Sequence, residues 1–401
     1  MSLRLIPFIL VFALCSCGSS VDPGLEMVEV NGRIIPKINV EQIEMEEVLR
    51  FSDWFEDIRL IELEVTKKSL IDRILSTFVG NKYIIATTMR SGILQFTPES
   101  KFVKTIAGTG KGPGEIIEMN TRIFVDETND KVYITQGYIG RDKVLCVDIT
   151  SGEFEYITFA DTGNEFMRDC PVVMDTIMYC ATLTMMGQKS SNPLFCQSTS
   201  GNLIWEVKKQ VPEGSFNGRT YLVDDIVYFN YSQGNILYQV QDRKITPHLI
   251  ITSTSPKAIY PKAKENSISY GIRPILKDWF YGYFQHLTEV DYERVKEGFP
   301  KITYSPMTRF LYNQKKKKVF RIGESFVNDY LGTTDRFDLS IQSNGIAFAK
   351  YQALDLVEYA DSASQSPETD PKMKKRLKEI LDRIDEEANP CLLVGTLKRG
   401  I

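Results

Sequence analysis

The chain has 401 residues, 43% of them hydrophobic, which is enough for a globular fold with a substantial core. Its 48 basic and 52 acidic residues give a formal net charge of -4, so no chain-wide positive field favours nucleic acid as a partner. The two histidines, His248 and His286, exclude a site with three histidine ligands, and the sequence predicts neither a metal nor a cofactor.

The first seventeen residues have the pattern of a lipoprotein signal peptide. Arg4 supplies a positive charge, residues 5–14 form an apolar run, and Cys17 follows a lipobox-like tripeptide. The run is shorter than the roughly 20 residues that a membrane-spanning helix needs. The sequence therefore predicts that residues 1–16 are removed and that lipid on Cys17 anchors the protein to a membrane. A plain secretory peptide is the alternative.

The segment after the lipid site is acidic and weakly patterned. Residues 17–45 are therefore predicted to be a lipidated tether, and residues 46–401 to be the folded domain. Gly18, rather than an aspartate, follows Cys17, which is compatible with export to the outer membrane. We expect an outer-membrane lipoprotein on the periplasmic or the cell-surface face.

Most of the remaining chain has the pattern of short strands rich in Val, Ile, Tyr, Phe and Thr, separated by Gly, Asn, Asp and Ser turns. Tyrosines recur in one strand of successive units at intervals of 46 to 50 residues: Tyr83, Tyr133, Tyr179 and Tyr228. This interval is close to the repeat of four-stranded propeller blades. With a further unit at 268–322 and a closing unit, the sequence predicts an all-β, six-bladed β-propeller of four-stranded antiparallel blades.

Ring closure gives a second indication of the same fold. A strand at 59–63 and a strand at 391–398 are predicted to share the last blade, because a propeller ring commonly closes with strands from both ends of the chain. The strongest helix signal lies just before the closing strand, with Asp370 as N-cap and Pro371 at the first helical position. One helix over 370–387 is therefore predicted to pack on the rim.

A glycine-rich segment at 106–115, followed by strands at 123–126 and 131–133, resembles the NHL-type propeller repeat. Together with the lipobox and the closing element Asn389-Pro390, it makes the chain more closely similar to six-bladed β-propeller lipoproteins of Gram-negative anaerobes, which are NHL- or TolB-like. The resemblance covers about residues 51–399. It implies a fold and a location, and it implies no activity.

The glycine-rich segment does not fit a phosphate-binding loop. Thr105 stands where the first glycine is required, and Gly112 follows Lys111 where Ser or Thr is required. The segment instead predicts a crossover between blades in which Glu115 bonds backbone amides of the next blade. The alternative is a ligand contact at the channel mouth, for which Lys111 and Glu115 are the candidates.

The densest aromatic cluster of the chain lies at 279–284. Trp279, Tyr281 and Tyr283 alternate along a predicted strand and are candidates for stacking on a sugar ring or a partner protein. Ordinary packing between blades is the alternative.

Five cysteines remain beyond the leader and the lipid site: Cys146, Cys170, Cys180, Cys196 and Cys391. Buried free thiols are the favoured interpretation, and a disulfide of Cys170 with Cys180 or Cys196 is the alternative. The oxygen-rich run 126–130 is interpreted as a turn rather than a calcium site.

The sequence contains no Gly-x-Ser-x-Gly elbow and no His-Glu-x-x-His helix. We therefore predict a binding or scaffolding module rather than an enzyme, with an envelope protein or a glycan as its ligand. The alternative is a carbohydrate-active enzyme, a glycosidase or polysaccharide lyase, with its site at the channel mouth.

Overall fold

The computed structural model describes residues 22–44, 49–117, 121–136, 142–162, 167–183, 193–208, 218–231, 235–256, 267–290, 302–323, 326–332, 339–367 and 369–400. Six four-stranded antiparallel blades form a propeller ring, so the predicted fold is confirmed. Two of the six sheets contain one additional short strand, and one contains an additional hairpin.

The first elements are β1 (Leu25–Val30), β2 (Arg33–Asn39), helix α1 (Phe51–Trp54) and β3 (Phe55–Glu62). Blade 1 contains β4 (Ile74–Val79), β5 (Ile84–Thr88), β6 (Ile93–Phe96) and β7 (Phe102–Ala107). Blade 2 contains β8 (Arg122–Asp126), β9 (Lys131–Thr135), β10 (Lys143–Asp148) and β11 (Phe154–Thr158). Blade 3 contains β12 (Met167–Arg168), β13 (Val172–Met174), β14 (Ile177–Leu183), β15 (Leu194–Ser198) and β16 (Leu203–Glu206).

Blade 4 contains β17 (Gly218–Val223), β18 (Ile226–Tyr231), β19 (Ile236–Gln241) and β20 (Lys244–Thr252). Blade 5 contains β21 (Ile268–Leu276), β22 (Trp279–Val290), β23 (Ile302–Tyr304), β24 (Thr308–Asn313) and β25 (Lys318–Gly323). Blade 6 contains β26 (Ser340–Ile341), β27 (Ile346–Tyr351) and β28 (Cys391–Leu397), and β3 is its outermost strand. Helices α2 (Ala353–Gln365) and α3 (Pro371–Leu381) lie between β27 and β28.

The ring closes in blade 6 as predicted. Strand β28 pairs with β3 in an antiparallel register that places Cys391 opposite Glu62 and Leu393 opposite Leu60. On its other side β28 pairs with β27. An early strand and the last strand of the chain therefore complete one sheet. Strand β28 is paired on both sides, and β3 covers the edge that β28 would otherwise expose.

Polar side chains join neighbouring blades. The Gln342 side chain of blade 6 accepts a hydrogen bond from the Val79 N–H at 3.0 Å and donates one to the Val79 carbonyl at 2.8 Å. Gln197 of blade 3 accepts from the Ala160 N–H at 2.7 Å. These bonds satisfy backbone groups that the sheets leave unpaired at the blade junctions.

The prediction of a tether does not hold for residues 22–44. Strands β1 and β2 form an antiparallel hairpin joined by Asn31 and Gly32, both at positive φ, as the tight turns of two-residue hairpins require. Strand β2 pairs in parallel with β20, with Lys37 opposite Ile250. The hairpin therefore adds two strands to the outer edge of blade 4.

Glu41 fixes the end of this hairpin to the segment after β20. Its carboxylate accepts hydrogen bonds from the Thr254 N–H at 2.7 Å, the Ser255 N–H at 3.1 Å, and the Thr254 and Ser255 hydroxyls. Partial burial raises the pKa of Glu41, but the hydrogen bonds from Ser255 and Thr254 outweigh it and lower the pKa to about 2. The ionised carboxylate therefore contributes to the docking of the hairpin.

This contact predicts an acid-sensitive hairpin. Because the pKa of Glu41 is lower in the folded protein than its ordinary 4.5, its stabilisation is complete above pH 4.5 and is lost as the pH falls through about 2. We expect Glu41→Gln to lower the unfolding midpoint at pH 7 and to weaken its decline on acidification. Thermal unfolding between neutral pH and pH 2 measures both effects, with exposed Glu44→Gln as the control. Parallel pH curves for Glu41→Gln and the unmodified protein would contradict this assignment.

The predicted helix is present as α3, and it ends earlier than expected, at Leu381. Asp370 caps it by accepting hydrogen bonds from the backbone N–H groups of Lys372 at 2.8 Å and Met373 at 3.3 Å. A second helix, α2, was not predicted, and it packs with α3 against a core that includes α1 and blades 5 and 6. None of the helices in the described ranges is long and apolar enough to span a membrane.

Candidate functional site

One face of the ring carries the links between successive blades and the turns between the second and third strands of each blade. On this face a cavity of about 290 Å³ lies between blades 4 and 5, beside the central channel. We name it the channel pocket. The lining residues used below are Arg219, Tyr221, Asn230, Arg273, Tyr281 and Tyr283.

The inner strands of the two blades supply the polar lining. Arg219 and Tyr221 are two residues apart on β17, so their side chains leave the same face of the strand. Asn230 is the cross-strand partner of Arg219, and its Nδ2 donates to the Ile272 carbonyl of blade 5 at 2.9 Å. This bond joins the two blades beside the pocket.

On the blade 5 side, β21 and β22 place an arginine and two tyrosines together. Arg273 is opposite Tyr281, and its guanidinium carbon lies 5.3 Å from the centre of the Tyr281 ring, a cation–π contact that orients the arginine. Gly271 is opposite Tyr283, and a Cβ at Gly271 would lie 2.8 Å from Cε1 of that ring. The missing side chain therefore allows the Tyr283 ring to lie against the innermost strand.

The charges around Tyr221 show that these groups share one electrostatic environment. Burial raises the pKa of Tyr221, Arg219 and Arg273 oppose this rise, and Asp169 and Tyr283 add to it, with a net increase. The phenol is therefore neutral at neutral pH and is available as a hydrogen-bond donor.

The two pocket arginines have no carboxylate partner in the described part of the chain, where the ion pairs within 4.0 Å involve other residues. By contrast, Arg122 on the inner strand of blade 2 is neutralised by Asp169 of blade 3, with Nη1 and Oδ1 2.5 Å apart. The channel pocket therefore retains two positive charges.

Of the three aromatic candidates, the structure places Tyr281 and Tyr283 in the channel pocket. Trp279 is 3% exposed and belongs to the core between blades 5 and 6. Its ring stacks on Phe320 with centroids 5.9 Å apart and an interplanar angle of 28°. Trp279 is therefore not accessible to a ligand, and the alternative of packing between blades applies to it.

The two candidates in the glycine-rich segment lie far from the channel pocket. The Glu115 carboxylate accepts from the Gly112 N–H at 2.6 Å, so it bonds its own loop rather than the next blade, and Lys111 is exposed. The loop rests on the outermost strand of blade 2, where the Gly114 N–H donates to the Tyr156 hydroxyl at 3.0 Å. The structure brings neither residue to the channel mouth between blades 4 and 5.

Sequence reasoning missed Arg219, Tyr221 and Arg273. The two arginines have a signal in the sequence: each lies inside the first strand of a repeat unit, where most residues are apolar and a charged side chain is unusual. This signal becomes readable only once the blade boundaries are known.

The remaining sequence predictions concern cysteines and metals. All five cysteines are free thiols, and four of them are buried: Cys146, Cys180, Cys196 and Cys391. Burial raises the pKa of Cys196 and of Cys391 to about 12, so both are protonated at neutral pH. Asp126 accepts from the N–H groups of Thr128 and Asn129, each at 3.1 Å, which is a turn. The described residues contain no group of three or more metal-ligating side chains.

Fold and site together define a six-bladed β-propeller with a small cationic, tyrosine-lined pocket beside its channel. The chain belongs to the family described as a domain of unknown function, DUF4934, whose model matches residues 35–396. No curated protein has a matching sequence.

Solved structures resemble this chain at low sequence identity. A candidate exported protein of Bacteroides fragilis is 16% identical, with a TM-score of 0.64 over 88% of this chain and 98% of its own. The computationally designed Ika8 protein is 8% identical, with a TM-score of 0.38 over 73% of this chain and 84% of its own. An oligogalacturonate lyase of Vibrio parahaemolyticus is 10% identical, with a TM-score of 0.39 over 80% and 77%. The last two scores are too low to support any argument about chemistry.

Proposed function

We propose that this protein is a ligand-binding module of the cell envelope, and that the channel pocket is its binding site. The observation that carries the proposal is the pocket itself: two arginines without carboxylate partners and several tyrosines around a cavity of about 290 Å³. That volume is near the lower end of the range for small-molecule sites, about 300 Å³, and suits a single ring rather than a long chain.

The lining favours binding over the enzymatic alternative. A glycosidase needs two carboxyl groups roughly 5–9.5 Å apart, and no Asp or Glu among the described residues lines the channel pocket. A lyase needs a base, and no His, Asp or Glu of the described chain lines the pocket to act as one. Both arguments support a module that holds its ligand without converting it.

The proposed location is the outer membrane, with lipid on Cys17. It rests on the lipobox at residues 14–17 and on the likeness to a candidate exported protein. The NHL-like character of the chain is part of the same proposal, supported by the glycine-rich loop between blades 1 and 2.

Replacing Cys17 tests the anchor. We expect Cys17→Ala to move the protein from the membrane fraction to the soluble fraction and to abolish incorporation of labelled palmitate, because the lipid would be attached to that sulfur. Cys15→Ala, within the predicted leader, is the matched control and should leave both unchanged. A Cys17→Ala protein that remains in the membrane fraction would contradict lipidation at this residue.

Crystals soaked with a panel of neutral and acidic sugars test the site. We expect density in the channel pocket, and we expect Gly271→Ala to weaken binding by roughly tenfold, because the added methyl group displaces the Tyr283 ring. Gly108→Ala is the control, since no atom lies within 4 Å of a Cβ there. Ligand density at another place, or turnover of any sugar in solution, would count against the proposal.

A further inference from the structure

We infer that the ligand of the channel pocket carries a carboxylate or sulfate group on a sugar-sized ring. This inference rests on the proposed function and adds a chemical class to it. It depends on three features of the pocket: its unbalanced charge, its pre-oriented donors and its aromatic walls.

The first feature is charge. Arg219 is exposed and Arg273 is half-buried, and guanidinium groups stay protonated at any physiological pH. No carboxylate of the described chain lies within 4.0 Å of either one, although the whole chain has a net charge of -4. Two like charges in one small cavity repel each other, and an anion bound between them removes that repulsion.

A second feature is the direction of the donors. The Tyr281 ring orients Arg273, and Tyr221 lies in the electrostatic field of both arginines as a neutral hydroxyl donor. A guanidinium presents a planar fork of N–H groups that matches the two oxygens of a carboxylate, and it also binds tetrahedral oxyanions. The cavity therefore holds, in its lining, the types of donor that bind an oxyanion.

The aromatic walls indicate the rest of the ligand. Tyr221 and Tyr283 line the cavity beside the arginines, and aromatic faces with polar edges suit the apolar face of a sugar ring. In the part of the chain that the structure describes, no acidic side chain lines the pocket to attract a cationic ligand. A uronic acid or a sulfated sugar satisfies all of these features at once.

The test uses the detergent-solubilised full chain and three matched probes: methyl glucoside, methyl glucuronide and methyl glucoside 6-sulfate. We expect each anionic probe to bind roughly tenfold more tightly than the neutral glucoside in calorimetric titration, and to weaken at high salt. Arg219→Gln and Arg273→Gln should each remove that preference. Arg273→Lys, which keeps the charge without the fork, should remove part of it. Arg33→Gln, on the exposed hairpin, should change nothing.

The outcomes separate this inference from the proposed function. Equal affinity for all three probes, with binding weakened by Gly271→Ala, would overturn the inference that the ligand is anionic. The channel pocket would remain the binding site. An anionic preference that survives Gly271→Ala and both glutamine variants would place the site elsewhere and overturn both ideas. Absence of binding by the anionic probes would overturn the inference. The relative affinities of the two anionic probes distinguish carboxylate from sulfate, and unfolding midpoints confirm that each variant is folded.

Discussion

Replacing Trp54 with alanine should lower the free energy of unfolding by about 3–5 kcal/mol, the usual range for a large aromatic side chain removed from a core. Trp54 ends helix α1 and is 4% exposed. Its ring makes edge contacts with Trp279, Phe320 and Phe326 at centroid distances of 5.8, 4.7 and 6.1 Å. The truncation would leave a cavity between helix α1 and blade 5.

Urea unfolding followed by circular dichroism measures this loss. Trp205→Ala is the matched control, because Trp205 is only half-buried on the outer strand of blade 3 and should lose clearly less. Equal losses for the two variants would show that Trp54 is not the centre of this contact.

Asn389→Ala should have the second large effect, about 3 kcal/mol or more, because each buried polar group left without a partner costs about 1–3 kcal/mol. Asn389 is 1% exposed. Its Oδ1 accepts from the Ile71 N–H at 2.8 Å, and its Nδ2 donates to the carbonyls of Ser69 at 2.7 Å and Glu64 at 3.0 Å. One side chain thus ties the closing strand to the segment that enters blade 1.

The same unfolding measurement applies, with Asn202→Ala as the control on an exposed turn, where about 0.5 kcal/mol or less is expected. Limited proteolysis should also show earlier cleavage near residues 64–71 in Asn389→Ala, because three hydrogen bonds that hold this segment are lost. An unchanged midpoint for Asn389→Ala would mean that the closure does not depend on this residue.

The sequence predicted the ring because its repeat has a simple physical origin. Tyr133, Tyr179 and Tyr228 lie on the second strands of blades 2, 3 and 4, and Tyr83 directly precedes the second strand of blade 1. Those strands follow tight turns in which Asp130, Asp175 and the pair Asp224-Asp225 have positive φ, a conformation that Asp tolerates well. An Asp-containing turn followed by a strand with a tyrosine therefore recurs from blade to blade, and this recurrence is visible in the sequence.

The hairpin β1–β2 was missed for an equally physical reason. Glu26 and Glu29 are both exposed but, three residues apart, leave opposite faces of β1, so the segment appears acidic and lacks the regular alternation that marks a strand. The Asn31-Gly32 pair, a typical two-residue hairpin turn, is the signal that could have identified it.

The candidate site was only partly predictable. Arg219 and Arg273 are 54 residues apart and meet only because they occupy the inner strands of adjacent blades. Tyr283 and Trp279 lie on the same face of β22, yet their partners on β21 differ. Gly271 leaves room beside Tyr283, whereas Leu276 stands opposite Trp279. The register of β21 against β22 therefore decides which residue stands opposite each aromatic side chain, and the sequence alone did not give that register.

The position of the N-terminal hairpin limits how far this protein can operate from its proposed anchor. Cys17 precedes Leu25 by eight residues, and eight extended residues span at most about 28 Å. Within the blade 4 sheet, β1 at the outer edge and β17 at the channel are five strand spacings apart, roughly 24 Å. In a lipidated molecule, Leu25 at the outer edge of blade 4 would therefore lie within about 28 Å of the membrane surface. The channel pocket would then meet ligands close to the membrane surface, because neither the linker nor the width of the sheet could carry it far away.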